Sequence, residues 1–414
     1  MRFITACAVV VASLGAFAPA GAVSGCPPPS MHDADAHQLR ADHARHCRLD
    51  RMVSREVSKE GGLGRIAIKH GLAAVLQRDE GIVSLIDVKD PFGGLKVVGR
   101  YDDGAQESFD GDLAFSDDGK WLFYARQTHQ FSQDGIHVLD VSDPANPSLA
   151  FYQPGGGAYR VAFYKNDTAQ YVVLLDAVDG LVIYRFEPTT GALAQVFQDA
   201  EPALKVGGPA SAGIEIDRHD PMTGKPLMYV TTGQTGLQIY DLSTPESASI
   251  VGEWPDVGLA EVEVSATKTR RTVWAATEYW FDKTLPPEIE VLDATKLDHV
   301  RKVDTYSLGL PADDLWRVEG MDRNRGGLFV AHSHAGVVVF DDDGTVKRSA
   351  AAPFEPNEGA GATGSVYSMD VRLRWPYVFV TDAATGRLDV LARPGHPGGF
   401  AHPHRRGCSE SRAC

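Results

Sequence analysis

A repeated unit is the feature of this sequence that most restricts its fold. One short pattern recurs along the chain: usually a glycine, then alternating apolar residues, then an aspartate or another turn residue. Its seven copies occupy 81–87, 135–140, 180–184, 236–241, 288–293, 336–341 and 386–391. They start roughly 45 to 56 residues apart, a spacing typical of repeats that each form one four-stranded sheet. Most copies follow a second strand-like run rich in aromatic and β-branched residues, such as 121–125 and 377–381.

The number and length of these units predict how the sheets assemble. One four-stranded sheet cannot bury both of its apolar faces, whereas seven sheets in a ring cover every face and leave only short edges. We therefore predict an all-β fold, a seven-bladed β-propeller of four-stranded antiparallel blades, over residues 50–394. The last copy lacks an outer strand, and the strand-like segment 52–58 has no blade of its own. We expect this N-terminal strand to close the ring.

The N-terminal residues indicate export. Residues 1–22 have the pattern of a secretory signal peptide, with Arg2, an apolar run over 3–18 and small residues at 20–22. The next residues, which end in Cys26, resemble the bacterial motif at which a cysteine is lipidated. We expect a secreted, extracellular protein, with lipid anchoring at the cell envelope through Cys26 as the alternative. The segments 23–49 and 395–414 are predicted to be tails, and no later run is long and apolar enough to span a membrane.

The cysteines lie in these two tails. Once Cys7 is removed with the signal, Cys26, Cys47, Cys408 and Cys414 remain, an even number in an oxidising compartment. Ring closure by segment 52–58 would bring Cys47 near the C-terminal tail. We therefore favour a disulfide bond from Cys47 to Cys408 or Cys414, while a Cys26–Cys47 bond with a Cys408–Cys414 bond stays open.

Three copies carry a more specific pattern. Residues 135–147 read GIHVLDVSDPANP, and 81–91 and 236–245 follow the same pattern more loosely. This pattern resembles the repeat of LVIVD-type propeller proteins, and 115–122 is similar to a turn of the YVTN and lactonase-type propellers. The resemblance implies an exported seven-bladed propeller. It implies no particular activity, because propellers support many chemistries.

Charge and missing motifs exclude several classes of function. The formal net charge of −15 makes nucleic acid an unfavourable partner, because its phosphates would be repelled. No G-x-S-x-G elbow, phosphate-binding P-loop, H-E-x-x-H or paired C-x-x-C is present. We therefore predict a monomeric binding scaffold without assigned catalysis, whose partner is an unidentified protein or small molecule.

An alignment of the predicted innermost strands suggests a candidate site. We align the strands beginning at 64, 111, 159, 212, 260, 316 and 367, so that two columns are apolar and two face the ring axis. The fourth column then contains Ala67, Ala114, Ala162, Glu215, Glu263, Glu319 and Asp370. Four carboxylates would therefore converge on one side of the central channel.

Close carboxylates must share protons, pair with arginine or bind a cation. The structural interpretation is that each carboxylate pairs with an arginine of a neighbouring blade, such as Arg160 or Arg317, or caps backbone N–H groups. The functional alternative is a metal site of Glu215, Glu263, Glu319 and Asp370 for Ca²⁺ or another divalent cation. Such a site would make the protein a metal-assisted hydrolase or lactonase. The scaffold hypothesis requires no cofactor.

Other residues are candidates for ligand binding. Arg65, Arg160 and Arg317 fall in the second column and suit the carboxylates of acidic sugars, which would indicate a lyase. Tyr279 and Trp280 suit an aromatic lid over a flat ligand. His332 and His334 follow a predicted strand and have the spacing for a shared metal ion or for acid–base chemistry.

Overall fold

The structure, a computed structural model, describes most of the body of the chain. Described are residues 50–59, 61–78, 80–102, 104, 110–128, 134–200, 212–256, 258–277, 287–307, 318–324, 327–333, 336–342, 344, 346–350, 368–374 and 376–392. The predicted signal peptide, both predicted tails and Cys26, Cys47, Cys408 and Cys414 lie outside these residues. The domain boundaries, the route of export and the disulfide pairing therefore stay predictions.

The described residues form seven four-stranded antiparallel sheets, as the repeat predicts. We number the blades from the N-terminal side and call their strands inner, second, third and outer. The inner strands of blades 1 to 7 are β2 (Leu63–Lys69), β6 (Asp110–Phe115), β10 (Ala158–Lys165), β14 (Ala212–Asp217), β18 (Leu259–Ala266), β22 (Gly320–Asn324) and β26 (Ser368–Arg374). The second strands are β3 (Leu72–Gln77), β7 (Trp121–Gln127), β11 (Gln170–Asp176), β15 (Leu227–Thr232), β19 (Arg271–Thr277), β23 (Gly327–His332) and β27 (Tyr377–Asp382).

The repeat found in the sequence forms the third strand of every blade. These strands are β4 (Ile82–Asp87), β8 (Gly135–Asp140), β12 (Gly180–Glu187), β16 (Gly236–Asp241), β20 (Glu288–Asp293), β24 (Gly336–Phe340) and β28 (Arg387–Ala392). The outer strands are β5 (Lys96–Tyr101), β9 (Ser148–Pro154), β13 (Ala192–Asp199), β17 (Ser249–Trp254), β21 (Arg301–Ser307), β25 (Val346–Ala350) and, in blade 7, β1 (Asp50–Glu56). Single turns of 3-10 helix lie at Pro91–Gly93, Pro245–Ser247 and Leu297–His299.

The sheets form a closed ring. Each inner strand contacts the inner strand of the next blade, and β26 of blade 7 contacts β2 of blade 1. Among the described residues, one apolar cluster lies at each of the seven interfaces between neighbouring blades. The core is therefore divided among the interfaces, because each blade can bury its two faces only against its neighbours.

The N-terminal strand completes the last blade, as we expected. β1 pairs antiparallel with β28, with Asp50 opposite Ala392. The closure is reinforced nearer the axis, where the Ile66 amide donates a hydrogen bond to Asp370 Oδ2 at 3.0 Å. Thr381 Oγ1 likewise donates to the Gly64 carbonyl oxygen at 2.7 Å. Blade 7 is thus held to blade 1 both by chain connectivity and by polar contacts.

Chain direction defines two faces of the ring. We call the lower face the one at which each inner strand turns into its second strand and each third strand ends. At the upper face each second strand turns into its third, and each blade connects to the next. Inner strands therefore run from the upper to the lower face. Since β28 is a third strand, Ala392 lies at the lower face, and Asp50 lies beside it.

Candidate functional site

Strand pairing corrects the predicted alignment of the inner strands. In blade 2, Asp112 pairs with a residue of the second strand, and that residue pairs with the first apolar residue of the third strand. The residues with the same pairing relation are Gly320 in blade 6 and Asp370 in blade 7. The prediction was therefore wrong in these two blades. Gly320 takes the second-column place that was expected for Arg317, and Asp370 belongs in the second column rather than in the fourth.

The observed register of the inner strands changes which side chains line the ring axis. We call the corrected second column the upper layer, and it contains Arg65, Asp112, Arg160, Gly213, Glu261, Gly320 and Asp370. We call the corrected fourth column the lower layer, and it contains Ala67, Ala114, Ala162, Glu215, Glu263, Asp322 and Arg372. Glu215 and Glu263 keep their predicted place, whereas Asp322 and Arg372 stand where Glu319 and Asp370 were expected.

The upper layer is a buried network of ion pairs across the ring. Arg65 Nη2 lies 2.5 Å and Arg160 Nη2 lies 2.8 Å from the same oxygen, Glu261 Oε1, so blades 1, 3 and 5 are joined. Burial by itself would raise the pKa of Glu261, but the two guanidinium groups outweigh it and lower that pKa. Glu261 is therefore held as a carboxylate between two arginines.

The remaining carboxylates of the upper layer join neighbouring blades. Asp370 accepts a hydrogen bond from Ile66 of blade 1, and Asp112 accepts one at 3.1 Å from the amide of Val161 in blade 3. Asp370 Oδ1 also lies 3.3 Å from Arg372 Nη1. The glycine at position 320 makes room for this carboxylate, because a Cβ there would lie 2.5 Å from Asp370 Oδ1. Every charged group of the upper layer thus contributes to a contact between blades.

The lower layer differs from the upper layer in its exposure. All seven upper-layer residues are buried, whereas all seven lower-layer residues are partly exposed. Because inner strands border the axis, this exposure is toward the centre of the ring. We call the space bordered by the lower layer the lumen. It lies on the lower-face side of the ionic upper layer.

One wall of the lumen carries more carboxylates than cations. Three alanines, Ala67, Ala114 and Ala162, form the wall of blades 1 to 3. Glu215, Glu263 and Asp322 face it from blades 4 to 6, with Arg372 of blade 7 as the single cation of this layer. Asp322 Oδ2 accepts a hydrogen bond from the Leu373 amide at 2.7 Å. No lysine or arginine in the described part of the chain forms an ion pair with Glu215 or Glu263.

The carboxylates of the lumen share an unfavourable environment for charge. Enclosure by the protein, followed by repulsion from Asp322, raises the pKa of Glu215 to about 7. Enclosure and repulsion from both Glu215 and Asp322 raise the pKa of Glu263 well above its ordinary value. Enclosure also raises the pKa of Asp322 to about 6, although Arg372 opposes this rise. These three groups would therefore gain from a positive charge placed among them.

The predicted metal site can be compared with the observed positions of its residues. Hard divalent cations require several oxygen ligands around one point. Among the residues that the structure describes, no group of three or more histidine, cysteine, aspartate or glutamate side chains is placed to hold a metal ion. The predicted metal ligands Glu215, Glu263, Glu319 and Asp370 are in fact divided: the first two border the lumen and Asp370 belongs to the upper layer. The Glu319 carbonyl oxygen accepts a hydrogen bond from Arg65 Nη1 at 2.6 Å.

The predicted ligand-binding residues are placed in different environments. Arg65 and Arg160 are buried, and their guanidinium groups bind Glu261 rather than facing an open site. Arg317, Tyr279, Trp280 and His334 lie outside the described residues. For these four, ligand binding stays a prediction.

His332 lies in the interior of the protein. It ends the second strand of blade 6, is 1% exposed, and makes a hydrogen bond with the backbone of Pro287 in blade 5. Within the described part of the chain, its Nδ1 has no hydrogen-bond partner. Burial lowers the pKa of His332 to about 4, so the imidazole is neutral at physiological pH. This neutral, enclosed ring connects two blades.

We expect His332 to reduce stability in acid. The unfolded chain protonates this histidine near its ordinary pKa of 6.5, whereas the folded protein protonates it only near 4. Stability should therefore fall as the pH is lowered from about 6.5 to 4, by about 2 to 3 kcal/mol in total. Denaturant unfolding across this range should show a smaller fall for His332→Gln than for the unaltered protein. His299→Gln, at an exposed site, should leave the pH dependence unchanged.

Asp322 and Arg372 were missed by the sequence alignment, although a signal was available. Antiparallel neighbours are usually joined by short turns. Only residues 325 and 326 separate β22 from β23, and the inner strand of blade 7 ends at Arg374, just before Tyr377. If the inner strands had been aligned by the short turns that follow them, rather than by their apolar residues, both Asp322 and Arg372 would have fallen in the fourth column.

Comparison with solved structures supports the architecture. The chain is similar to the β-propeller domain of Cps50 (Swd1) from Myceliophteria thermophila, with 11% identity, a TM-score of 0.54 and coverage of 82% of this chain and 99% of that one. It is similar to Sqt1 from Saccharomyces cerevisiae, with 10% identity, a TM-score of 0.54 and coverage of 84% and 100%. Raptor from Chaetomium thermophilum gives 14% identity, a TM-score of 0.57 and coverage of 86% of this chain but 30% of that one.

Fold and comparisons together define the class, which is that of the seven-bladed β-propellers. At these identities the similarity concerns the fold alone. No protein-family description and no curated protein sequence matches the chain, so membership of the LVIVD-type group stays a prediction. In the described part of the chain, no helix has the length and apolar character needed to cross a membrane.

Proposed function

We propose that this protein is an exported binding scaffold that holds a positively charged group of its ligand in the lumen. The observation that carries the proposal is the contrast between the two layers of one channel. In the upper layer Glu261, Asp112 and Asp370 all have partners in other blades. In the lower layer Glu215 and Glu263 border the lumen, and no described lysine or arginine forms an ion pair with either. Groups that destabilise a fold without serving its packing are characteristic of functional sites.

The walls of the lumen favour an organic cation over a metal ion. An alkylammonium or alkylguanidinium group combines a charged end with an apolar stem. The carboxylates of blades 4 to 6 suit the charged end, and the alanines of blades 1 to 3 suit the stem. Lysine and arginine side chains of a protein partner have this chemistry. The proposal therefore includes a protein or a small basic molecule as partner.

The metal-assisted hydrolase remains the weaker hypothesis. Glu215, Glu263 and Asp322 supply oxygen donors, but the described residues do not gather three of them around one point. The export component of our proposal is supported by the signal-like residues 1–22 of the sequence. A binding role without catalysis agrees with the absence of common catalytic motifs from the sequence.

Glutamine substitution of the lumen carboxylates tests the proposal. Because the folded pKa of Glu215 lies above that of the unfolded chain, the protein loses stability as the pH rises from about 4.5 to 7. Glu215→Gln should therefore be more stable than the unaltered protein at pH 8, by about 1 to 3 kcal/mol, and equal to it near pH 4.5. Calorimetric titration at pH 8 should show binding of argininamide that the Glu215→Gln/Glu263→Gln variant weakens at least tenfold.

Glu253→Gln is the matched control, because Glu253 is exposed on an outer strand. It should change neither the stability nor the binding of argininamide. Binding that survives the double substitution would place the ligand elsewhere. Loss of stability in Glu215→Gln at pH 8 would show that this carboxylate is a structural group. Titration with CaCl₂ alone, followed by chelator, separates a metal ligand from the organic cation.

A further inference from the structure

We propose that the ligand of the lumen is a zwitterion, an organic cation that also carries a carboxylate, and that Arg372 binds this carboxylate. This ligand class depends on the proposed function, since the carboxylate is a second charged group of the same molecule whose cation Glu215 and Glu263 hold. Three features of the described residues support it: the hydrogen bonds of Arg372, its position relative to the two glutamates, and the distribution of charge around the ring.

Arg372 is bound within the protein through one of its three guanidinium nitrogens. Nη1 donates hydrogen bonds to the carbonyl oxygens of Met321 at 3.1 Å and Val371 at 3.2 Å, and it lies 3.3 Å from Asp370 Oδ1. In the described part of the chain, neither Nε nor Nη2 has a hydrogen-bond partner. The side chain is 32% exposed, whereas that of Asp370 is fully buried. The edge formed by Nε and Nη2 is therefore available to a ligand, and such an edge binds a carboxylate through two parallel hydrogen bonds.

Arg372 and the two lumen glutamates interact without direct contact. Enclosure raises the pKa of Glu215 and that of Glu263, and the nearby positive charge of Arg372 opposes this rise in both. Arg372 is thus close enough to attract each carboxylate, yet among the described residues its ion pair is with Asp370 and not with either glutamate. A ligand with its cation beside the glutamates and its carboxylate beside Arg372 would replace this indirect attraction by two direct ion pairs.

The charged groups around the lumen are separated by sign. Because alternate residues of a strand share a face, Arg374 follows Arg372 on blade 7, and Lys69 has the equivalent position on blade 1. Arg374 donates a hydrogen bond to the Val88 carbonyl oxygen and forms no ion pair with a described carboxylate. Blades 4 and 5 carry the two glutamates instead. In a ring of seven, blade 4 lies opposite blades 7 and 1, so the charge is polarised across the axis.

This polarity favours a basic amino acid or its N-acyl derivative. In such molecules an apolar stem joins a guanidinium or ammonium group to a carbon that carries a carboxylate. A simple alkylammonium ion or a metal ion would leave the exposed edge of Arg372 without a partner. An anion without a cationic group would be repelled by Glu215 and Glu263. A zwitterion is the class of ligand that uses both sides of the lumen.

A matched pair of small molecules tests the role of the carboxylate on the unaltered, full-length protein. Nα-acetylarginine and Nα-acetylargininamide both carry the guanidinium group, but only the first carries a carboxylate. Calorimetric titration at pH 8 should show that Nα-acetylarginine binds at least about tenfold more tightly, because a bidentate charge-assisted pair is added to the contact of the cation. Equal affinities, or tighter binding of the amide, would show that the lumen recognises the cation alone.

Substitution of Arg372 tests whether this residue makes the contact. In Arg372→Gln the affinity for Nα-acetylarginine should fall to that for the amide, whereas the affinity for the amide should not fall. Arg372→Lys keeps a positive charge near Asp370 but lacks the planar fork, so it should fold and still lose most of the preference. Arg270→Gln, at an exposed position, is the control and should leave both affinities unchanged. A preference for the carboxylate that survives both substitutions of Arg372 would refute its role.

The variant Glu215→Gln/Glu263→Gln separates this inference from the proposed function. It should weaken the binding of both molecules at least about tenfold. If the two molecules bind equally and both lose affinity in this variant, the zwitterion is wrong and the proposed function stands. If the preference for the carboxylate depends on Arg372 but the glutamine variant binds as before, the Arg372 contact stands and the proposed function fails. Binding of neither molecule would contradict both.

Discussion

Replacement of Glu261 by glutamine is expected to lower the free energy of unfolding by about 3 to 5 kcal/mol. The substitution keeps the shape of the side chain but removes its charge. Arg65 and Arg160, which are 2% and 6% exposed, would then remain buried without the carboxylate that both contact. Because these residues come from blades 1, 3 and 5, the loss should affect the whole ring rather than one blade.

Denaturant unfolding at pH 7 measures this effect. Glu253→Gln removes one negative charge from an exposed position and should change the free energy of unfolding by less than about 0.5 kcal/mol. A loss below about 1 kcal/mol for Glu261→Gln would contradict a role for this residue as the centre of the upper layer. Glu215→Gln should have the opposite effect, since the same substitution one layer lower should stabilise the protein.

Replacement of Arg271 by methionine should be similarly severe, with an expected loss of about 3 to 5 kcal/mol. Arg271 and Asp220 form a fully buried ion pair between blades 4 and 5, in which Nε lies 3.1 Å from Oδ1 and Nη2 lies 2.6 Å from Oδ2. Arg271 Nη1 also donates to the Ala294 carbonyl oxygen at 2.6 Å. Burial alone would raise the pKa of Asp220, but hydrogen bonds from Arg271 and Thr223 outweigh it and lower the pKa.

The neighbouring arginine is the control for this experiment. Arg270 directly precedes Arg271 and is exposed. Arg270→Met therefore removes the same charge without leaving a buried carboxylate unpaired. Its effect should stay within about 0.5 kcal/mol. Equal losses in the two variants would indicate a general effect of charge rather than the buried pair.

The inner strands of blades 1 to 5 follow a regular alternation of apolar residues, whereas the inner strand of blade 6 does not. In blades 1 to 5 the apolar columns are regular, and the structure places Arg160, Glu215 and Glu263 in the predicted columns. In blade 6 the true inner strand reads GMDRN, which is nearly devoid of apolar residues. The apolar pattern therefore placed the predicted inner strand of blade 6 at 316–320. As a result, the predicted acidic wall contained Glu319 where the structure has Asp322.

The sequence by itself determined the number of blades, the order of their strands and the closure by β1, because the repeat period and the alternation of apolar residues are local and recur in every unit. Only the tertiary structure decided which charges meet at the axis. Arg65, Arg160 and Glu261 lie far apart in the chain, and they come together because ring closure superimposes the inner strands of different blades. The division into a paired upper layer and a partly exposed lower layer likewise depends on register, which is fixed by strand pairing and by short turns between strands.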